Sequence, residues 1–543
     1  MTDSTVQASK PGPDLGVGSW PARRARIDPH RPALRGGDRV LTYAELADRV
    51  DRLAALLAAE GVRRGSRVAH LGVNNLATFE TFFAAARLGA IFVPLNTRLT
   101  VAELAVLVTD CEPTVFVFGA EHAGVAAELR TGAPEVRSWI GTGELDARLD
   151  AAPVVPLTAA AVTPGGVGLD DDAVILYTSG TTGRPKGAVL THGNLTFNTM
   201  NQLAHADVLG SDTALCIAPL FHATGLGQVS LPTLFKGGCV VVLASFDAPT
   251  VLRTIAELGI SSFAAVPTML QLLADHPDFD RTDLASLRYV IYGGSTVLER
   301  VAVAWQRRGV TILQGYGMTE AAPGVYLAPA HGAQQRPVSV GVPHFFTDVE
   351  LRPLGDQDTT VRGTAGQDAT DQGELLVRGP NVFRGYWNRP EETDGVLSDG
   401  WFRSGDVVRV DADGWAYVVD RIKDVIISGG ENIYPAEVEA ELNRLDGVLD
   451  CAVIAAPDAQ WGEVGSAYLV TTGNPVWTAE TVRAALAGRL AAFKIPKYVR
   501  TVAELPRTAT GKVRKQQLRD ESGVSTERPG THDDNDTDRR ASP

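Results

Sequence analysis

The sequence predicts an α/β protein. We expect a large N-terminal domain of stacked α/β sheets with a small β-rich lobe, followed by a small α+β C-terminal domain. Apolar runs of strand length alternate with stretches of helical period as far as residue 313. Short strand-like runs separated by Gly, Asp and Pro follow beyond about residue 340. A charged cluster at residues 420–424 then interrupts the apolar pattern and indicates a domain boundary.

The length and composition limit the class of protein. With 543 residues and 44% hydrophobic residues, the chain has enough apolar sequence for several cores. A formal net charge of −14 argues against non-specific binding to nucleic acid or anionic membranes. No uncharged stretch reaches the length of a membrane helix, and no signal peptide is recognisable, so we expect a cytoplasmic protein without an integral membrane segment. Oligomeric state is left open between monomer and homodimer.

Cysteine usage agrees with a reducing compartment. Cys111, Cys216, Cys239 and Cys451 lie far apart among apolar neighbours, without the spacing of a disulfide framework or a metal site. We therefore expect them to be core residues.

The alternation of elements is regular. A helical period begins after Thr42, and a second helix is expected over residues 76–88 and a third after Thr100. Later helices are expected at residues 249–258 and 299–308. The predicted strands cover residues 68–71, 91–95, 115–118, 173–177, 188–190, 238–243, 262–266, 289–292 and 311–313. Such alternation indicates parallel sheets with crossover helices.

The second half of the chain has a different sequence pattern. Strand signals at residues 373–378 and 415–419 predict the β-rich lobe. The predicted domains are residues 16–421 and 422–520. Residues 521–543 carry no apolar periodicity and are expected to form a disordered tail.

A loop of small and polar residues follows the strand at 173–177. It contains Thr178, Ser179, Gly180, Thr181, Thr182, Gly183, Arg184, Pro185, Lys186 and Gly187. Glycines let backbone N–H groups approach an anion, hydroxyls add donors, and the lysine supplies a mobile charge. The pattern predicts a phosphate-binding loop. It is not a Walker A loop, because Pro185 directly precedes Lys186 and the following residues predict a strand, where that motif requires a glycine and a helix.

Six motifs resemble, in family order, those of the adenylate-forming acyl-CoA synthetases. They are YTSGTTGRPKG, LFH at 220–222, QGYGMTE at 314–320, WFRSGD at 401–406, DRIKDVIISGGENIYP at 420–435 and PRTATGKVRK at 506–515. The resemblance covers nearly the whole chain. It implies a two-step reaction in which a carboxylic acid and ATP give an acyl-adenylate and pyrophosphate, and coenzyme A then displaces AMP.

The resemblance assigns an ATP site. It implies that residues 178–183 and Lys186 bind phosphates and that Glu320 binds Mg²⁺, which needs hard oxygen ligands. Thr319 would contact the α-phosphate, and Gly315, Tyr316 and Gly317 would surround adenine. Asp406 and Arg421 would bind the ribose hydroxyls. Lys512 would stabilise the adenylation transition state between the carboxylate and the α-phosphate.

The resemblance also implies a mobile C-terminal domain. Lys423 occupies the family's hinge position, about which this domain would turn between the two half-reactions. One face would present Lys512. The other would present Ser428, Gly429 and Gly430 to pantetheine, with Lys494 a candidate partner for a coenzyme A phosphate.

The acyl pocket is expected between two parts of the N-terminal domain. His222 resembles the family's gating residue beside the substrate, and Gly293, Gly294, Ser295, Gly317 and Met318 would complete the pocket. Because residues 223–227 include no acidic or basic side chain, an apolar fatty or aromatic acid is favoured.

Two alternatives remain open at this point. The adenylate could pass to a carrier-protein thiol, oxygen or an amine, or the acid activated could be a non-carbon acid. Alternatively, the chain could bind nucleotide without catalysis, which the presence of Lys512 and Glu320 disfavours.

Overall fold

The computed structural model describes residues 13–151, 166–178, 185–294, 297, 299–354, 371–428, 431–508 and 511–522. The chain divides into two compact units, Met1–Val418 and Val419–Pro543, called here the large unit and the small unit. Among the described residues, no helix is both long and apolar enough to cross a membrane.

The strands follow one another along the whole chain, and β21 crosses the unit boundary. In order they are β1 (Pro32–Gly36), β2 (Arg39–Thr42), β3 (Arg67–Leu71), β4 (Ile91–Pro94), β5 (Val115–Phe118), β6 (Ser138–Gly141), β7 (Asp172–Thr178), β8 (Lys186–Thr191), β9 (Thr213–Cys216), β10 (Cys239–Val242), β11 (Ser262–Ala265), β12 (Tyr289–Tyr292), β13 (Thr311–Gly317), β14 (Gly324–Leu327), β15 (Val342–Pro343), β16 (Asp348–Arg352), β17 (Asp371–Arg378), β18 (Gly385–Tyr386), β19 (Leu397–Ser398), β20 (Trp401–Val410), β21 (Ala416–Arg421), β22 (Ile426–Ser428), β23 (Glu431–Ile433), β24 (Val448–Asp458), β25 (Gly462–Thr471) and β26 (Tyr498–Thr501).

The α-helices alternate with these strands in the large unit and flank them in the small unit. They are α1 (Trp20–Ile27), α2 (Tyr43–Ala59), α3 (Leu76–Arg87), α4 (Val101–Cys111), α5 (Ala123–Gly132), α6 (Thr142–Ala151), α7 (His192–His205), α8 (Leu231–Lys236), α9 (Ala248–Leu258), α10 (Pro267–Ala274), α11 (Glu299–Arg307), α12 (Ala330–Ala333), α13 (Pro390–Asp394), α14 (Pro435–Leu442), α15 (Ala479–Leu486) and α16 (Lys515–Glu521).

Two mixed sheets form the body of the large unit. The first has the order β15-β14-β13-β12-β11-β9-β10-β1-β2, and its central strands β13, β12, β11, β9, β10 and β1 are parallel. The second has the order β18-β8-β7-β4-β3-β5-β6. The prediction of parallel sheets is therefore correct for the central strands. Strand β8, whose pairing direction was not predicted, lies antiparallel to β7 because only a short loop joins these two strands.

The two sheets share one core. A single cluster of buried side chains joins residues from the first sheet, such as Leu34 and Val240, to residues from the second, such as Val68 and Val174. Helix α3 lies within this cluster, and every one of its residues except Arg87 is buried. A helix that is buried on all sides is expected where it packs between two sheets. The predicted stacking of α/β sheets is confirmed.

Local sequence explains where the early helices begin. Thr42 caps α2 by accepting a hydrogen bond from the Glu45 backbone N–H (3.2 Å), while the Glu45 carboxylate accepts one from the Thr42 backbone N–H (2.8 Å). Thr100 and Glu103 repeat this arrangement at the start of α4. Both starts agree with the sequence-based boundaries.

The remaining elements form two smaller assemblies. A sheet with the order β16-β17-β20-β19, in which β21 also pairs with β20, makes the predicted β-rich lobe. In the small unit, α14 and α15 pack on a sheet with the order β23-β22-β25-β24, in which β26 pairs with β25. Helix α16 ends at Glu521, so the first residue of the predicted tail is helical. All four cysteines are free, and Cys239 alone among them is only half-buried.

Candidate active site

Several predicted site residues lie at the same edge of the first sheet. Parallel strands β9, β12 and β13 have their carboxyl ends on this side, and open α/β sheets bind ligands beyond such ends. The chain leaves β9 toward His222, leaves β12 at Gly293 and leaves β13 at Gly317. Topology thus places the His222, Gly293–Gly294 and Gly315–Met318 segments together, although they are far apart in the sequence.

Lys186 and Glu320 are connected through one tyrosine. The hydroxyl of Tyr386 donates a hydrogen bond to Glu320 Oε1 (2.8 Å), and Lys186 Nζ lies 5.2 Å from the centre of the same ring. Lys186 also forms an ion pair with Glu392. Burial, and then the charge of Glu320, raises the pKa of Tyr386 well above its ordinary range, so its hydroxyl remains a donor at physiological pH.

The backbone keeps these side chains in register. Thr178 and Lys186 lie opposite each other on β7 and β8, and the Thr178 hydroxyl donates to the Lys186 carbonyl (3.4 Å). Tyr386 on β18 pairs with Ala188 of β8. Thr319 and Glu320 begin a 3₁₀ turn directly after β13, and the Glu320 carbonyl accepts a hydrogen bond from Phe383 N (2.7 Å).

Tyr316 and Asp406 contact each other directly. The Tyr316 hydroxyl donates to Asp406 Oδ2 at 2.6 Å, although the two residues lie 90 positions apart. Tyr316 comes from β13 and the buried Asp406 from β20 of the β-rich lobe. The residue predicted for adenine therefore adjoins the residue predicted for ribose.

The predicted acyl pocket is built from closely approaching backbones. A Cβ atom at Gly293 would lie 2.9 Å from the Gly315 carbonyl oxygen, and one at Gly317 would lie 1.7 Å from the Pro323 carbonyl oxygen. Neither position accepts a side chain without a backbone shift. Met318 is partly buried and packs against the core of the large unit, and its N–H donates to the same Pro323 carbonyl (2.9 Å).

His222 lies in a segment held by Asn74. The Asn74 amide donates to the Ala218 carbonyl (2.9 Å) and its oxygen accepts from Leu220 N (2.8 Å), so both sides of Pro219 are tied to the turn between β3 and α3. The half-buried His222 ring lies 4.7 Å from the Phe221 ring. The chain then enters a π-helical turn, Gly225–Ser230, in which the buried Gln228 side chain faces Gly315.

The small unit carries the other predicted residues. The exposed Lys512 lies in a turn in which Thr508 N donates to the Lys512 carbonyl (2.7 Å) and Lys512 N donates to Thr508 Oγ1 (3.2 Å). Ser428 is buried at the end of β22. Lys494 makes an ion pair with Glu437 (2.8 Å). Arg421 is exposed, and Lys423 lies in the 3₁₀ turn Ile422–Asp424.

Part of the predicted site lies outside the described residues. These positions are Ser179, Gly180, Thr181, Thr182, Gly183, Ser295, Gly429 and Gly430. Their roles stay predictions.

Sequence reasoning missed the residues that support the site. Tyr386 and Glu392 belong to the run GYWNRPEET, which was not predicted to be part of the site, although it lies between two of the motifs, QGYGMTE and WFRSGD. Asn198 was also missed. It is fully buried on α7, where it accepts from Gly324 N (3.1 Å) and donates to the Gly227 carbonyl (2.9 Å). A run of Asn, Thr and Gln residues directly after a buried strand was the available signal.

Comparisons with known proteins identify relatives along nearly the full chain. A family model described as "AMP-binding enzyme" matches residues 21–387, and one described as "AMP-binding enzyme C-terminal domain" matches residues 437–512. A feruloyl-CoA synthase of Amycolatopsis sp is 48% identical over 93% of this chain and 98% of the relative. A long-chain-fatty-acid–CoA ligase of Mycobacterium tuberculosis is 36% identical over 93% of this chain and 98% of the relative.

Solved structures agree with the sequence comparison. The crystal structure of ATP-bound MatB from Rhodopseudomonas palustris superposes with a TM-score of 0.83 at 32% identity, and covers 93% of this chain and 98% of that chain. The motif order, the geometry of the edge of the first sheet and both family matches agree. The chain belongs to the AMP-binding enzymes, in their adenylate-forming acyl-CoA synthetase branch.

Proposed function

We propose that this chain is an ATP-dependent acyl-CoA ligase that activates an apolar carboxylic acid, aromatic or fatty, through an acyl-adenylate. One observation carries the proposal. Residues predicted to bind phosphate, metal, adenine and ribose come from three remote segments of the large unit, and Tyr386, from a fourth, links the first two. The group runs from Lys186 through Tyr386 to Glu320, and from the adjoining Tyr316 to Asp406.

The phosphate end of this group offsets negative charge. Adenylation brings a carboxylate against a triphosphate, so binding requires cations and donors that remain in place as pyrophosphate leaves. Lys186 and Thr178 would contact the outer phosphates, while Thr319 would contact the α-phosphate. The lysine ammonium suits this role because it is a point charge on a flexible stem.

Mg²⁺ fits the residues present. Glu320 offers a carboxylate whose Oε1 already accepts the Tyr386 hydroxyl, which orients it. Among the described residues, no three His, Cys, Asp or Glu side chains are arranged to hold a metal alone. This suits Mg²⁺, which commonly takes one or two carboxylates and completes its shell with water and phosphate oxygens. When bound, the ion would neutralise charge on the phosphates.

The nucleoside end of the group positions the α-phosphate. Asp406 would accept the ribose hydroxyl protons, and its bond to Tyr316 ties the ribose contact to the adenine contact. A nucleoside held in this way presents its α-phosphate in one orientation, which lowers the entropic cost of attack by the carboxylate.

The acid would bind among the segments that leave β9, β12 and β13. Close backbone approach at Gly293 and Gly317 leaves no room for side chains there, and the Gln228 amide faces Gly315. The relatives named for ferulate and for long-chain fatty acids favour an apolar acid. The higher identity of the feruloyl-CoA synthase favours an aromatic acid over an aliphatic one.

The second half-reaction would use the small unit. We propose a hinge at Lys423. Arg421 would bind the ribose hydroxyls, and Lys512 would act in adenylation. The path of pantetheine would be lined by Ser428, Gly429 and Gly430. Lys494 would bind a coenzyme A phosphate only after leaving Glu437. The proposed domains are residues 16–421 and 422–520, and the four free thiols fit a cytoplasmic enzyme.

Pyrophosphate release across a panel of acids, with and without coenzyme A, tests this function. We expect release with ferulate or a related substituted cinnamate, or with a fatty acid, and an acyl-CoA product only when coenzyme A is present. Release without any acyl-CoA product would favour another acceptor, such as a carrier-protein thiol or an amine. Nucleotide binding without pyrophosphate release in the presence of any of the acids would favour a non-catalytic protein.

A further inference from the structure

We propose that Glu392 is an internal competitor for the phosphate-binding lysine. It would hold Lys186 between turnovers and, by taking the lysine back, would promote the release of pyrophosphate. The inference rests on the proposed function, because it requires Lys186 to bind the outer phosphates.

The contact between these two residues is direct and joins two partly exposed side chains, although the pairing atom Glu392 Oε2 is itself buried. Lys186 Nζ forms an ion pair with Glu392 Oε2, and the side chains are 16% and 36% exposed. A pair that is partly solvated contributes only modestly. A polyanion can therefore take the lysine from Glu392, and Glu392 can recover it as the anion dissociates.

A second cation allows the exchange without leaving Glu392 alone. Arg389 Nε lies 3.6 Å from Glu392 Oε1, and Arg389 Nη2 bonds Asp110 Oδ1 at 3.1 Å. Because Arg389 is held by Asp110, it stays beside Glu392 when Lys186 turns toward a phosphate. The carboxylate then keeps a positive neighbour in both states.

The competitor lies on a short helix, α13, that is joined to the strand beside the lysine. Gly385 and Tyr386 of β18 pair with Val189 and Ala188 of β8, the strand that begins at Lys186. Thr393 joins the short helix α13 to β18, because its hydroxyl accepts from Tyr386 N (2.9 Å) and donates to the Arg389 carbonyl (2.8 Å). Only the flexible lysine side chain has to move.

The negative charges that compete for Lys186 determine whether it pairs with Glu392 or with a phosphate ligand. MgATP and pyrophosphate bring several negative charges to Lys186, whereas Glu392 offers one. Glu392 therefore does not block binding, but it weakens the net affinity for every ligand that uses Lys186. A residue that merely supported the fold would have the opposite effect on removal, since its loss would weaken binding.

Equilibrium binding of inorganic pyrophosphate in the presence of Mg²⁺ tests the inference. Glu392→Gln keeps the size of the side chain and removes the competing charge. We expect pyrophosphate to bind about two- to fivefold more tightly, the range that corresponds to a partly exposed ion pair. Glu391→Gln, an exposed neighbour on the same helix, should leave the affinity unchanged. Glu392→Asp, which keeps the charge, should resemble the parent protein more than Glu392→Gln does.

A Lys186→Gln background shows whether the effect passes through the lysine. In that background, Glu392→Gln should no longer tighten pyrophosphate binding. Unchanged or weaker binding by the Glu392→Gln single variant would overturn the inference, as would equal tightening in both backgrounds. The measurement needs neither acid nor coenzyme A. If Lys186→Gln weakens pyrophosphate binding while Glu392→Gln has no effect, only the inference fails. If Lys186→Gln has no effect, the phosphate role in the proposed function fails as well.

Discussion

At the scale of single residues, Lys512 can be tested without disturbing the fold. Its side chain is exposed, and the turn around it is closed by backbone groups and by the Thr508 hydroxyl. Removing the side chain beyond Cβ leaves these hydrogen bonds in place. Measuring the two half-reactions separately then distinguishes a role of the ammonium group in adenylation from a structural role.

We expect Lys512→Ala to suppress adenylation about a hundredfold to a thousandfold, the cost of removing one charged contact to a transition state. Conversion of supplied acyl-adenylate to thioester should continue. Single-turnover assays of each half-reaction measure both effects. Lys497→Ala, at another exposed lysine of the small unit, is the matched control. Equal loss in both half-reactions would show that Lys512 is structural.

At the scale of elements, the site depends on close packing between β13 and the turn before β14. Gly317 ends β13, and its neighbour Met318 donates a hydrogen bond to the Pro323 carbonyl. This proximity leaves no room for a methyl group at Gly317. It also holds Thr319 and Glu320, which follow directly, in position.

We expect Gly317→Ala to shift the backbone of this turn, because the new Cβ would lie 1.7 Å from the Pro323 carbonyl oxygen. Overpacking of this kind costs about 1–3 kcal/mol, and displacement of Glu320 should also weaken MgATP binding. Urea unfolding and nucleotide titration measure the two effects. Gly124→Ala, on α5 with open space around the new Cβ, should be neutral or slightly stabilising. Wild-type stability and binding in Gly317→Ala would contradict this account.

At the scale of the whole molecule, the proposed hinge lies between two anchored residues of the small unit. Asp420, whose pKa is raised by burial, accepts from Ala436 N (2.9 Å), and Asp424 accepts from Arg519 (2.5 Å). Rotation about Lys423 cannot preserve both contacts. Ala436 and Arg519 both follow Lys423, so a change of backbone state at Lys423 would break the Asp420 contact and keep the Asp424 contact.

We expect Lys423→Pro to favour one backbone state, because proline fixes φ and removes an N–H. Pyrophosphate release should survive far better than thioester formation. Lys423→Ala, which removes the side chain but leaves the backbone free, should support both half-reactions. A folded Lys423→Pro variant that retains both would show that Lys423 is not a hinge.

Buried histidines should make the large unit sensitive to acid. Burial lowers the pKa of His70 and His192 to about 4 and that of His344 to about 3. Their unfolded-state pKa values are near 6.5. The native state therefore binds fewer protons, and the stability that these neutral rings provide is fully present above pH 6.5 and is lost as the pH falls toward 4.

We expect the free energy of unfolding to fall between pH 6.5 and 4.5 by about 1.4 kcal/mol per pH unit for each of these rings. Urea unfolding at several pH values measures the slope. His70→Gln should reduce it, whereas His30→Gln, at an exposed position, should not. A slope that is identical in all three proteins would exclude His70 as a source of the acid sensitivity.

The sequence by itself determined the class of fold, most element positions and the family. Periodicity and capping are local properties, so the starts of α2 and α4 and the positions of β3, β5, β7 and β12 could be predicted from their own residues. The chemical types in each motif indicated which residues would bind an anion or a nucleoside. The antiparallel direction of β8 was missed, because pairing direction depends on how strands connect in space.

Only the tertiary structure decided which residues support the site. Tyr386, Glu392, Asn198 and Asn74 are ordinary residues in the sequence, and each acquires its role from a partner far along the chain. Tyr386 meets Glu320, Glu392 meets Lys186, and Asn74 meets the segment that carries His222. The physical reason is the sequence separation over which each kind of interaction acts. Propensity and motif act over a few residues, whereas hydrogen bonds and ion pairs between remote segments form only after the sheets have brought those segments together.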